Sequence, residues 1–362
     1  MIGGLARAFD SLVGRGDAAV TVPPFDGALR SNSKLDEATV RAPLKDVDCL
    51  ASQGDALVAS AGDAVFTLGA DGTWQPRRTY PSAVACLASV GEAALAIALE
   101  DGEIRVEGGP FDGRRYRADG VTAITAMVAA DGALIVANGS ATNRLNDWQR
   151  DLLERNASGG IWRIDLASGA ATLVVDGIAW PSGLTVDGAD VVVSEAWRHQ
   201  ITRIDMATTA KRQVLYADLP AYPGRIARAA DGYWLALFAP RTQLVEFVLR
   251  EPVYRRRMMA EVPQAYWVAP RLRSGRSFYE SLQGGGVKHL GMLKPWAPTM
   301  SVGLCVKLDR TFQPRSSLQS RADGATHGVT SAAEHDGRLY VAAHGDGVVV
   351  SLPLSTVAEG AT

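Results

Sequence analysis

The chain has 362 residues, 47% of them hydrophobic and 21% charged, with a formal net charge of −2. That balance suits a soluble protein with a large buried core, and it excludes a disordered chain or one that binds nucleic acid through a basic surface. Three cysteines, Cys49, Cys86 and Cys305, set neither a disulfide framework nor the paired spacing of a metal knuckle, which fits a reducing compartment.

The first twenty residues, MIGGLARAFDSLVGRGDAAV, lack a basic stretch followed by a continuous apolar core, so they do not read as a secretory leader. Leu5, Phe9 and Leu12 share one face of a short helix, and residues 1–24 are expected to form an N-terminal helical extension. No apolar run is long enough to span a bilayer, so the expected location is the cytoplasm, with no integral membrane segment.

From Val47 a phrase repeats. It reads VDCLASQGDALVASA, then VACLASVGEAALAIA from Val84, ITAMVAADGALIVAN from Ile124, WPSGLTVDGADVVVSE from Trp180, GRIARAADGYWLALF from Gly224 and VTSAAEHDGRLYVAA from Val329. Each copy has an apolar strand, a tight turn with Gly beside an acid, and a second strand rich in Ala, Val and Leu. Gly supplies the positive φ that tight hairpins require. Alternating runs such as GIWRIDLASG and ITRID add outer strands. Six such units of several strands predict an all-β, six-bladed propeller over residues 25–362. The last unit has too little chain after GVVVSLPLS for its outer strand, so a strand from before Val47 is expected to close the ring.

Two insertions break the rhythm. Residues 139–159 contain a short helix predicted around Trp148 to Glu154. Residues 249–300 carry Tyr254, Tyr266, Trp267, Phe278, Tyr279 and Trp296 among many basic residues. Insertions of this length serve as lids or binding loops, or pack over an exposed end of the ring.

The ordered series GGIWRIDLASG, GIAWPSGL, VSEAWRHQI, LPAYPGRI, GYWLAL and AAEHDGRLYVAA resembles the strictosidine synthase-like propellers. These belong to the wider superfamily of gluconolactonases, paraoxonases and phosphotriesterases. The match is clearest from about Gly159 to Phe238 and again near the C-terminus. The resemblance implies an active site at one mouth of the central tunnel, where the lactonase and phosphotriesterase branches hold a calcium ion.

The departures narrow that implication. Where the metal-binding relatives read Pro-Asn-Gly, this chain has Pro181-Ser182-Gly183; where they read Pro-Asp-Asn, it has Pro223-Gly224-Arg225. Calcium takes six to eight oxygen ligands. Arg225 brings a cation instead, and Asp48 is the one acid at the corresponding level of the repeats. No metal or other cofactor is therefore expected, with calcium possible only if unrecognised ligands complete the site. The condensing members carry a glutamate where Thr330 stands, and threonine is no base at neutral pH, which argues against strictosidine synthesis itself.

The expected catalytic set is Arg225, which would orient a carboxylate or stabilise an oxyanion, Asp48 as its partner or a base, and His327 as general acid or base. Ser182, Thr125, Thr330, Tyr222 and Trp267 are the expected substrate contacts. The predicted activity is hydrolysis of a small lactone or ester. A propeller that binds a ligand or a protein partner without turnover, and a lyase or condensing enzyme on the same scaffold, stay open.

Overall fold

Each repeated phrase folds as an antiparallel hairpin whose first strand faces the axis of a ring. A computed structural model describes residues 22–208, 211–276, 280, 288–289, 292–293 and 300–358. The six innermost strands are Val47–Gln53, Val84–Val90, Ile124–Ala130, Pro181–Asp187, Ala221–Ala229 and Val329–His335. Each packs beside the next, and the sixth packs beside the first. Every one begins a four-stranded antiparallel sheet, and these sheets are the six blades.

The ring closes as the sequence predicts. In blade 6 the outermost strand is Val40–Pro43, paired antiparallel to Val348–Pro353 with Val40 opposite Ser351. N-terminal chain thereby covers the edge that the last blade would otherwise expose. A cluster that includes Leu35, Trp234, Leu318, Val341 and Val350 joins blades 5 and 6 to the incoming N-terminal segment.

The composition of the strands follows from their place. The second strand of blade 2, Ala94–Leu99, is buried along its whole length, with alanines alternating with larger residues. Cys49 and Cys86 sit in the core shared by blades 1 and 2, and burial pushes both thiols up in pKa, as befits packing residues and not nucleophiles. Burying a side chain of Val or Leu size stabilises by about 1.5–3 kcal/mol, and these clusters recur between the blades.

The described parts of both insertions lie at one end of the ring. The first forms the helix Trp148–Glu154, closed by Arg155 in the left-handed region at φ 55°. The second forms Gln243–Arg250, whose N-cap Thr242 accepts a hydrogen bond from the Val245 amide, and then Pro252–Glu261. Leu152, Val245, Val248, Met258 and Trp267 from these segments share one apolar cluster with Trp180, Tyr222 and Phe238 of blades 4 and 5. The predicted N-terminal helix and Phe278, Tyr279 and Trp296 fall outside the described residues. No helix among the described residues is long and apolar enough to cross a membrane.

Candidate functional site

The ladder between the first and second strands is broken near the start of every blade. The register shifts between Val47 and Leu50, Val84 and Cys86, Ile124 and Ala126, Pro181 and Gly183, Pro223 and Ile226, and Val329 and Ser331. Each is a bulge, a device that leaves residues unpaired and re-aims their side chains. Among the residues left out of the pairing are Asp48, Ala85, Thr125, Ser182, Arg225 and Thr330. All six line one cavity of about 340 Å³ at the mouth of the tunnel. Six equivalent irregularities thus build a single tier of side chains.

Backbone released from a ladder still needs hydrogen bonds. Here the tier supplies them from blade to blade. Thr125 Oγ1 donates to the Pro181 carbonyl, Ser182 Oγ to the Pro223 carbonyl, and Thr330 Oγ1 to the Asp48 carbonyl at 2.7 Å. Arg225 reaches furthest. Its Nη1 donates to the carbonyls of Asp48 (3.1 Å) and Thr330 (3.4 Å), and its Nη2 to the Ala85 carbonyl (2.8 Å) and to Asp48 Oδ2 (2.6 Å). One guanidinium from blade 5 therefore ties blades 6, 1 and 2.

The Asp48–Arg225 pair sits in the cavity wall, with side chains 27% and 16% exposed. Burial opposes ionisation of Asp48, but the Arg225 charge and its hydrogen bond, helped by His344 and Thr330, hold the carboxyl below the usual range. Burial likewise opposes the Arg225 cation, and Asp48 outweighs it, so the guanidinium is held charged. Arg225 Nε is buried with no hydrogen-bond partner among the described residues.

The rim above the tier has two contrasting halves. On the side of blades 3 to 5 it is apolar, formed by Leu145, Trp148, Trp180 and Phe238. Trp180 adopts φ 54°, rare for so bulky a residue, and is held by stacking on Trp197 at 5.3 Å. A Cβ at Gly139 would stand 2.9 Å from Thr125 Cγ2 and 3.2 Å from the Trp180 ring, so a larger residue there would have to push both aside. On the side of blades 6, 1 and 2 the rim carries His344, Asp46 and Glu100, the last accepting from Asn146 Nδ2 at 3.0 Å.

His344 is the residue that sequence reasoning missed. Its Nδ1 lies 2.9 Å from the Val47 carbonyl, an atom that can only accept. Nδ1 therefore carries the proton, and Nε2 is the basic nitrogen of a side chain that lines the cavity. The signal available in the sequence was its position directly after the second strand of blade 6, the level at which Glu100 follows the second strand of blade 2.

Three other expected residues, His327, Tyr222 and Trp267, are placed elsewhere. His327 is fully buried away from the cavity lining, with Nε2 2.8 Å from the Arg321 carbonyl and Nδ1 2.7 Å from both Arg273 Nη1 and Ser301 Oγ. Tyr222 is fully buried behind Phe238 and Trp197, its hydroxyl with no hydrogen-bond partner among the described residues. Trp267 is 3% exposed and donates to the Val262 carbonyl, packing the insertion and not facing the cavity. Ser182 lines the cavity, but its hydroxyl is spent on Pro223 and Ser194.

As a calcium site the tier is a poor match. It offers one carboxylate, and the oxygens that converge from blades 1, 2 and 6 already bind the Arg225 guanidinium. Among the described residues, no group of three or more His, Cys, Asp or Glu side chains gathers as metal ligands do.

No protein-family model matches the chain, and no curated protein matches it. Among solved structures it is similar to a protein described as a gluconolactonase, at 9% identity and a TM-score of 0.51, over 86% of this chain and 89% of that one. It is also similar to regucalcin, a calcium-binding protein from Agrobacterium tumefaciens, at 13% identity and a TM-score of 0.49, over 92% and 95% of the two chains. At such identities the likeness to the first is one of fold, the six-bladed propeller, and the second adds no argument.

Proposed function

We propose that the protein is a small-molecule hydrolase of lactones or esters that works at the tunnel mouth without a bound metal. The observation that carries this reading is the His344–Val47 hydrogen bond, which leaves a basic imidazole nitrogen on a cavity that also holds a fixed Asp48–Arg225 pair. A substrate's apolar part would rest on Trp148, Trp180 and Phe238, a wall that favours an acyl chain or ring. His344 Nε2 takes a proton from water as the oxygen attacks the carbonyl carbon. The carbonyl π pair moves to oxygen, then returns as the C–O bond to the leaving group breaks. His344 hands its proton to the departing alkoxide, giving an acid and an alcohol, or one hydroxy acid from a lactone. Arg225 supports the transition state through its charge, because its Nη donors already serve protein acceptors. The fold likeness to a protein described as a gluconolactonase agrees with this reaction class.

That same saturation of Arg225 favours a second reading, a propeller that binds a small ligand without turning it over. Assaying purified protein against a panel of lactones and aryl esters, with calcium and with chelator, separates the two. Turnover that persists in chelator is the expected outcome; its absence across the panel, with tight binding of a panel member, would establish the second.

A further inference from the structure

Leu272 is the only described residue of the larger insertion that lines the cavity, and its hold on that position is unusually specific. Its backbone carbonyl lies against Gly328 and Gly345, where any Cβ would stand within 2.6 and 2.2 Å of that oxygen. The segment after it is tied to two elements. Arg273 lies 3.0 Å from Asp346, and Arg276 pairs with the same carboxylate at 3.0 Å. The Ser274 amide donates to Ser301 Oγ and the Ser301 amide to Ser274 Oγ, at 2.8 and 2.7 Å.

His327 stands at the centre of these ties. The Arg321 carbonyl can only accept, so Nε2 carries the proton and Nδ1 is the lone-pair acceptor for Arg273. A second proton on the ring would turn Nδ1 into a donor facing a guanidinium 2.7 Å away. Ser301 Oγ could turn to accept from the protonated ring, but Arg273 has no acceptor to offer. We infer that His327, Arg273 and Asp346 form a latch that holds Leu272 over the cavity mouth, and that protonation of His327 expels Arg273 and releases Leu272. The latch regulates the site proposed above and rests on that cavity being the one that takes substrate.

The surrounding charges fix the direction. Burial and then the Arg273 charge lower the His327 pKa from its ordinary value, against the Arg321 carbonyl and the Asp346 and Asp36 carboxylates, which raise it. Of the groups that face the ring, Asp346 comes from the loop after the second strand of blade 6, Asp36 from the N-terminal segment, Arg321 from the end of blade 5 and Arg273 from the insertion. A depressed histidine pKa means that the latched form binds the proton more weakly than the released form. The latch is therefore at full strength above an ordinary imidazole pKa of about 6.5 and weakens about tenfold per pH unit below it, until the latched-state value is reached.

The test is thiol labelling in a Leu272→Cys protein, since the three native cysteines are buried. The rate is divided at each pH by that of a Val253→Cys protein, whose site is 63% exposed, which removes the reagent's own pH dependence. Between about pH 7.5 and 5.5 the ratio should rise several-fold, up to the limit of about tenfold that linkage allows, with the far-UV spectrum unchanged. His327→Gln keeps an acceptor for Arg273 and a donor for the Arg321 carbonyl but cannot titrate, and should hold the ratio low at both pH values. Amide exchange of the wild-type segment 270–276, corrected for intrinsic rates, should show the same loss of protection on acidification, and serves if the cysteine variant does not fold. A flat ratio with flat exchange, or a rise that survives in His327→Gln, overturns the latch. Neither readout needs turnover, so a latch that opens in a protein inert toward every ester and lactone would sink the hydrolase reading alone.

Discussion

His327 and His344 stand on the same blade, and the His344 amide donates to the carbonyl of Gly328, the residue next to His327. Their side chains nevertheless live in different chemistry. His344 opens onto the cavity with one nitrogen fixed by the Val47 carbonyl, whereas His327 is sealed among Arg273, Ser301 and the Arg321 carbonyl. A histidine becomes a base for a reaction only if one nitrogen is oriented and the other can meet substrate. Proximity to the inner strand, which both residues have, does not decide this; the direction in which each leaves the hairpin does.

The sharpest way to break the contrast is to exchange the demands on the two residues. His344→Gln should lower ester or lactone turnover by about 10²–10⁴-fold with little change in melting temperature, the usual contribution of a positioned general base. His327→Ala should act the other way, leaving buried donors unmatched and costing stability by about 1–3 kcal/mol in a denaturant titration.

Arg225→Ala addresses the tier beneath. It would strip the Asp48 carboxylate and three carbonyls of their shared donor, and breaking a buried pair on one side costs about 3–5 kcal/mol. A loss below about 1 kcal/mol would mean that water replaces the guanidinium without penalty. A smaller effect should appear in the acid limb of stability. Because the Asp48 carboxyl is held below its ordinary value, its pairing stabilises the fold fully above about pH 4 and is lost as pH falls through the lower folded-state value. Asp48→Asn should flatten the stability curve in that window relative to wild type. Smallest is Trp148→Ala, which trims the apolar half of the rim and should raise KM several-fold with kcat nearly unchanged.

Much of the scaffold was legible because its cause is local. Strand alternation and Gly-acid turns give the six hairpins, the short last unit demands the closing strand now seen at Val40–Pro43, and the helix predicted around Trp148 to Glu154 forms over those residues. Comparing the repeats and the family motifs also singled out Asp48, Ser182, Arg225 and Thr330, with Thr125 as a further expected contact, and all five line the cavity. What that comparison could not convey is the bulge, an irregularity of pairing with no residue signature of its own, and therefore which way each side chain turns. His344 and Leu272 were illegible for a different reason. One ends an ordinary strand, and the other belongs to an insertion whose course is set by contacts with Gly328 and Gly345, more than fifty residues further along the chain.

The most direct test of the account is a turnover assay on lactones and aryl esters, run in chelator and in calcium, with wild type beside His344→Gln. A metal-free hydrolase with His344 as its base predicts turnover that is indifferent to chelator and nearly abolished by the substitution. Turnover that requires calcium, or that survives His344→Gln undiminished, would contradict it.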